Sequence, residues 1–333
     1  MAVSAQKKAL FEKVRIALSF SGWRLLWLEY ANPAKARLIR EDDAVDVWIH
    51  IWNLTPGGRQ ASMPNEYRIQ PTGIGSSFTA EQGAKTLILG WSEDYNVFAA
   101  FDYNYHSGTF GASPSIQTDT KALEEAISDG LGVYSKDTGE LAVAIRPELL
   151  GFYVIQMDAL HSFGKDAVEL ATLKNIASSP LAFGEVDLPQ SSSPERQRAM
   201  TQTLRWLRDH RFTERVLTAY SNRCAMCEVQ LSLLDAAHIL PVAHPDSDDE
   251  VSNGIALCAL HHRAYDAALV TFDEEYEIRF NEDAIGELQS EGLSNGLSAF
   301  KSAIRPSIEL PSDPDSHPSP DMIGKANDLR GWN

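Results

Sequence analysis

The three cysteines of this chain fall in one short stretch, and two of them form Cys224-Ala-Met-Cys227, a CxxC knuckle. The third opens Cys258-Ala-Leu-His261, a second pair of donors at the same spacing. Two such pairs, each on a tight turn, let thiolates and an imidazole converge at about 2.0–2.3 Å on one zinc ion. A structural Zn2+ held by Cys224, Cys227, Cys258 and His261 is therefore expected. It would enclose Ala236-Ala237-His238-Ile239 and Asn253-Gly254, and His262 follows the last donor directly.

With every cysteine assigned to that cluster, none remains for a disulfide framework, which fits a reducing, cytoplasmic compartment. The start of the chain, Met1-Ala-Val-Ser-Ala-Gln-Lys-Lys8, lacks the apolar core of a secretory signal. No apolar run approaches the roughly 18 residues that suggest a membrane span. At 333 residues the chain is long enough for two domains with separate cores.

A net charge of −17 argues against a protein that coats nucleic acid by bulk attraction. The charge is uneven, however. Seven arginines (196, 198, 205, 208, 211, 215 and 223) are set against Asp209 and Glu214 in one segment, whereas 246–250 and 309–321 are acidic. A local basic helix beside a folded knot can hold DNA on an acidic molecule, and Arg205, Arg208, Arg211 and Arg215 are the candidates. A solvated helix face is the alternative reading.

Residues 4–22 read as an amphipathic helix with Leu10, Val14 and Leu18 at i, i+4 and i+8. Val45, Val47, Ile49 and Ile51 alternate with Asp46, Trp48, His50 and Trp52, the period of a two-faced strand. The apolar runs 86–91 and 97–103 suggest a hairpin. Residues 119–130 suggest a helix capped by Asp119 and stopped by glycine. Residues 141–145 read as a strand and 147–178 as mostly helical. Pro189-Gln-Ser-Ser-Ser-Pro194 has linker composition. The expected division is a 1–185 reading domain, a 186–195 linker, a 196–310 C-terminal domain and a 311–333 tail. Within the tail, residues 311–321 are too rich in Pro, Ser and Asp for regular structure.

Residues 216–273 resemble the HNH endonucleases, and among them the zinc-stabilised group found in restriction enzymes. The resemblance is carried by Cys224-Ala-Met-Cys227, Asp235-Ala-Ala-His-Ile-Leu-Pro241 and Asn253-Gly-Ile-Ala-Leu-Cys-Ala-Leu-His-His-Arg-Ala-Tyr-Asp266. It implies an α+β chain: a β-rich N-terminal domain with flanking helices, and a C-terminal ββα-metal nuclease domain tied by zinc. His238 would be the general base and Asn253 would orient it and its loop. His262 would hold a catalytic Mg2+ or Mn2+ that stabilises charge on phosphorus and on the leaving 3′ oxygen. Hydrolysis of double-stranded DNA to 5′-phosphate and 3′-hydroxyl ends is implied.

The chain departs from the family pattern just before the base, where relatives carry Asp or His and this sequence has Ala237. Asp235, on the same strand face as Ala237 by alternation, is the leading second ligand; His244 and Asp266 are the others. His244 also reads as a loop histidine, and Asp266 as a cap or a partner for Arg263. A purely structural zinc ribbon without catalysis is a further alternative.

In the N-terminal half no family resemblance is read from the residues. Aromatics gather on and around its expected strands, and Trp48 and Trp52 flank His50 on one face. Such a face fits a base turned out of the duplex, or simply packing against a helix. Arg68, Gln70 and Gln117 have the chemistry of base contacts and equally that of surface decoration. The arrangement of reader, linker and HNH domain resembles modification-dependent restriction endonucleases. Sequence-specific cutting of unmodified DNA, and a non-catalytic DNA-binding protein, are the alternatives. No membrane partner is expected, and a homodimer on DNA is compatible with double-strand cleavage.

Overall fold

The computed structural model describes every residue except 1–2, 41–42, 59–61, 137, 185–186, 190–192, 232 and 333. The chain divides into two units, Met1–Leu207 and Arg208–Asn333. The first runs α1 (Ala5–Phe20), β1 (Arg24–Glu29), β2 (Ala34–Arg40), β3 (Asp43–Asn53), β4 (Thr55–Pro56), β5 (Glu66–Ile69), β6 (Lys85–Ser92) and β7 (Val97–Phe101). It continues through α2 (Tyr103–His106), β8 (Ile116–Asp119), α3 (Thr120–Asp129), β9 (Leu131–Ser135), β10 (Leu141–Ile145), α4 (Leu150–Ser162) and α5 (Ala167–Ser178). The division falls within α6 (Pro194–Ala219). The second unit adds β11 (Leu234–His238), β12 (Gly254–Cys258), α7 (Ala259–Asp266), β13 (Val270–Phe272), β14 (Ile278–Phe280), α8 (Glu282–Ser290), α9 (Leu297–Ala303) and α10 (Pro320–Leu329).

In the first unit one sheet runs in the order β1-β2-β3-β6-β7-β10-β9, and a second, smaller sheet in the order β4-β5-β8. The large sheet is antiparallel except for the parallel pair β3–β6. Alternation along β3 sends Val47, Ile49 and Ile51 into one core with Leu10, Phe11, Val14 and Leu18 of α1. Trp52 joins the opposite core with Ile88, Phe101 and the α3 residues Ala122, Leu123 and Ala126. Each fully buried aliphatic or aromatic side chain contributes about 1.5–3 kcal/mol. A sheet covered on both faces therefore gives this unit a core that needs no metal.

The expected helix at 119–130 is α3: the Asp119 side chain accepts from the Ala122 N–H, and Gly130 ends the helix at φ 85°. The expected hairpin is β6–β7, and the mostly helical stretch is α4 and α5. The linker falls partly outside the described residues, at 186 and 190–192. Helix α6 corrects the boundary at 196. Its first half buries Ala199, Met200, Leu204 and Leu207 in the core of the first unit, and its second half buries Phe212, Val216 and Tyr220 in that of the second.

The 311–333 tail is also corrected. Pro314–Ser316 form a 3-10 turn, and α10 buries Ile323 and Ala326 in the second core. Pro320 sits in the first turn of α10 and the Ser319 side chain caps it, accepting from the Met322 N–H at 3.5 Å. A first-turn proline is tolerated because its missing N–H would have no partner within the helix. No helix among the described residues is long and apolar enough to cross a membrane.

Candidate active site and metal centre

The second unit is built on the antiparallel pair β11–β12, with His238 opposite Gly254, followed directly by α7. The Ala225 N–H pins the CxxC knuckle to this pair by donating to Ala256 O at 2.8 Å, and the Glu228 N–H closes the knuckle on itself by donating to Cys224 O at 2.8 Å. Cys258 is the N-cap of α7 and His261 lies in its first turn. The donor atoms of Cys224, Cys227, Cys258 and His261 all lie within 4.8 Å of one another. His261 Nδ1 is 3.4 Å from both Cys224 Sγ and Cys258 Sγ, and Cys227 Sγ is 3.9 Å from Cys258 Sγ. A tetrahedral zinc with ordinary bond lengths separates sulfur from nitrogen by about 3.5 Å and sulfur from sulfur by about 3.8 Å. The donor set fits zinc on that comparison.

Burial keeps the metal-free thiols protonated, raising Cys224 and pushing Cys227 up to about 12. It also lowers His261, keeping the imidazole neutral and able to ligate. Loading a divalent ion on these residues must therefore displace protons from sulfur.

Successive residues on an α-helix point about 100° apart. His261 accordingly turns inward, 1% exposed, while His262 stays half-buried at the surface. His262 Nδ1 lies 3.1 Å from Asp235 Oδ2 on β11, and its Nε2 lies 3.5 Å from Asp266 Oδ2 one turn on. Neighbouring ligands of an octahedral ion at about 2.1 Å are about 3.0 Å apart. Asp235 and His262 thus fit a shared ion, and Asp266 holds the second ring nitrogen as outer carboxylates commonly do for ligating histidines. Asp266 pairs with His262, where the sequence had suggested a cap or Arg263. Ala237 is buried and offers nothing. His244 accepts from the Asp246 N–H at 3.2 Å within its own loop.

His238 ends β11 with its ring stacked on Phe212 of α6, centroids 3.8 Å apart and planes 9° apart. Its Nε2 lies 3.2 Å from Asp249 Oδ1. The hydrogen bond from His238 holds the Asp249 carboxyl below its ordinary range, with Arg208 and Arg215 acting the same way. An ionised carboxylate only accepts, so Nε2 carries a proton; in the neutral ring Nδ1 then keeps its lone pair.

Asn253 is fully buried and works on the loop after β11. Its Oδ1 accepts from the Leu240 N–H at 2.8 Å, and its Nδ2 donates to Asp248 O at 2.9 Å and Ser247 Oγ at 3.1 Å. These bonds tie Asn253 to the segment that carries Asp249. Gly254 permits the close fit of α6, since a Cβ there would lie 2.3 Å from Val216 Cγ2 and 3.0 Å from Phe212 Cζ. Asp249 and Phe212 carried no signal in the sequence. Asp249 sat in an acidic run, and Phe212 read only as an apolar position on a basic helix.

The expected DNA contacts are placed unevenly. Arg205 is exposed in the first unit. Arg211 pairs with Glu214 at 3.5 Å, and Arg215 with Glu250 at 2.7 Å and Asp249 O at 3.3 Å. Arg68 is half-buried on β5, opposite Gln117 of β8. Trp48 is half-buried with the Lys35 ammonium 5.7 Å from its ring centroid. Trp52 is 7% exposed and donates through Nε1 to Thr72 O at 3.1 Å. One face of Trp52 carries the Lys7 ammonium at 4.6 Å, and His50 stacks against its ring at 6.2 Å. Burial lowers the His50 imidazole to about 4, so it is neutral. The aromatic face is largely packed core, and no aromatic sandwich stands open between Trp48 and Trp52.

Two family models match the chain. Residues 224–273 match the HNH endonuclease family, and residues 45–154 match a family described as Methylase-associated X1. The second unit therefore carries an HNH endonuclease domain. No curated protein matches the chain in sequence. A solved structure described as a modification-dependent TagI restriction endonuclease is similar at 10% identity, over 86% of this chain and 81% of that one, with a TM-score of 0.29.

Proposed function

We propose that this chain, whose residues 224–273 are an HNH endonuclease domain, is a restriction-type endonuclease that cuts double-stranded DNA when the first unit detects a modified base. The observation that carries the nuclease reading is the pair of histidines presented by the elements around the zinc knot, His238 at the end of β11 and His262 on α7. His238 is aligned by Asp249 and Phe212, and His262 is held between Asp235 and Asp266.

In this reading His238 Nδ1 takes a proton from the attacking water while the Nε2–H stays on Asp249. Asn253 keeps the loop from collapsing away from the ring. Asp235 and His262 would hold Mg2+ or Mn2+, which supplies charge stabilisation at phosphorus and at the departing 3′ oxygen. The Cys3His set would hold Zn2+ as a structural tie. Cutting both strands takes two such sites or two successive nicks, which a pair of chains on DNA supplies.

Dependence on modification is supported by the match of residues 45–154 to a family named for its association with methylases, joined here to a nuclease domain. The test is cleavage of plasmid and oligonucleotide DNA with added Mg2+ or Mn2+. Products with 5′-phosphate and 3′-hydroxyl ends, lost when the added ion is withheld from zinc-loaded protein, are expected. Undiminished cleavage without the ion would remove Asp235 and His262 from the proposal.

A further inference from the structure

A cleft of about 430 Å³ in the first unit takes no part in the site described above. It lies among the start of α1, the β1–β2 connection, the end of β3 and the segment after β5. Its volume falls in the range of about 300–1,000 Å³ usual for small-ligand sites. Its lining is unusually polar for such a site: Gln6, Asn32, Asn53 and Gln70 present amides, beside Lys7 and Trp52.

Two of these groups are left in an unusual state. Lys7 is buried, 9% exposed, and burial lowers its ammonium to about 8. That ammonium donates to Ile51 O, and among the described residues no carboxylate pairs with it. Taking an ammonium out of water without a counter-charge is unfavourable. Asn32 donates from Nδ2 to Gly73 O at 3.0 Å, while its buried Oδ1 has no partner. A strong donor and an unpaired acceptor thus border one cavity. A phosphate would answer the ammonium and be repelled by Asn32 Oδ1. A flat heterocycle with a carbonyl oxygen and an exocyclic amino group would answer both.

We propose that this cleft receives a nucleobase turned out of the duplex, with Lys7 donating to a ring carbonyl and Asn32 Oδ1 accepting from an exocyclic amino group. Cytosine and guanine carry both groups; adenine lacks the carbonyl and thymine the amino group. Lys7 lies over one face of the Trp52 ring and His50 stacks beside it, so recognition is by hydrogen bonds along the base edge. Gln70, exposed within the same lining, adds its amide to the edge of that base. The inference deepens the reading of the first unit as the sensor of modified DNA and rests on it.

The test uses the full chain carrying His238→Ala, so that DNA stays uncut, and duplexes with 2-aminopurine beside the target base. The targets are cytosine, 5-methylcytosine, 5-hydroxymethylcytosine, guanine, adenine and N6-methyladenine. Fluorescence should rise on binding beside a modified-cytosine target and stay flat beside adenine and N6-methyladenine. Adding Lys7→Met or Gln70→Ala should abolish the rise and weaken binding to the preferred duplex by about ten- to a hundredfold. Gln70 is outside the core, so its variant keeps the test intact if Lys7→Met fails to fold. A rise that survives in folded variants, or no rise for any target, overturns the inference. A rise beside plain and modified cytosine alike, lost in the variants, upholds the cleft and removes the dependence on modification instead.

Discussion

Replacing His238 with alanine should lower the cleavage rate by about 10²- to 10⁴-fold, the usual contribution of a positioned general base. That is about 3–5 kcal/mol of transition-state stabilisation. DNA affinity and melting temperature should change little, because the ring is half-buried and packs mainly on Phe212. The geometry adds a graded expectation. Asp249→Asn removes the fixed negative charge but keeps a group able to accept from Nε2. It should therefore cost less than His238→Ala while leaving zinc content unchanged. Single-turnover cleavage at saturating protein separates the two, and a His238→Ala protein that cuts at nearly the parental rate would remove it as the base.

The second large effect concerns stability. Cys224→Ser, or removal of zinc by a strong chelator, should unfold the second unit and leave the first folded. Structural zinc in small domains contributes about 10–16 kcal/mol of apparent binding free energy at neutral pH. Whole domains are stable by only about 5–15 kcal/mol. Loss of the ion therefore removes as much free energy as the unit has to lose. The first unit should survive because its cysteine-free core packs both faces of the β3–β6 sheet. Limited proteolysis with zinc quantification reads both outcomes: a protected N-terminal fragment, with β11, β12 and α7 digested. A protease-resistant, zinc-loaded Cys224→Ser protein would contradict the ligand set.

Much of this architecture is written locally in the sequence. The CxxC and CxxH spacings anticipate the metal cluster, because four donors on two tight turns have few other uses. The alternation from Val45 to Trp52 anticipates β3, and Asp119 with Gly130 anticipates both ends of α3. Contacts made by chain reversal are not written there. Asp249 reaches His238 only because Asn253 folds the intervening loop back, and no spacing rule announces that. Strand β1 is less legible because Leu25, Leu26, Trp27 and Leu28 form an unbroken apolar run that shows no alternation between faces.

Composition and position point different ways at two further places. Prolines at 314 and 320 suggested disorder, yet each opens a helical turn where a proline fits. Polar residues around 189–194 suggested a clean boundary, yet α6 feeds apolar residues into both cores. The aromatic run in β3 pointed to a stacking surface. The structure instead packs Trp52 and leaves Asn32 Oδ1 of the neighbouring cleft without a hydrogen-bond partner.

The central claim, a nuclease domain governed by a modification sensor, is tested most directly by cleavage of one DNA sequence in several chemical forms. Unmodified, 5-methylcytosine, 5-hydroxymethylcytosine, N6-methyladenine and phosphorothioate versions would be incubated with the purified chain and Mg2+ or Mn2+, beside His238→Ala. The account predicts cutting confined to a cytosine-modified form and absent with the variant. Discrete cutting of the unmodified DNA, with modification neutral or inhibitory, would contradict it.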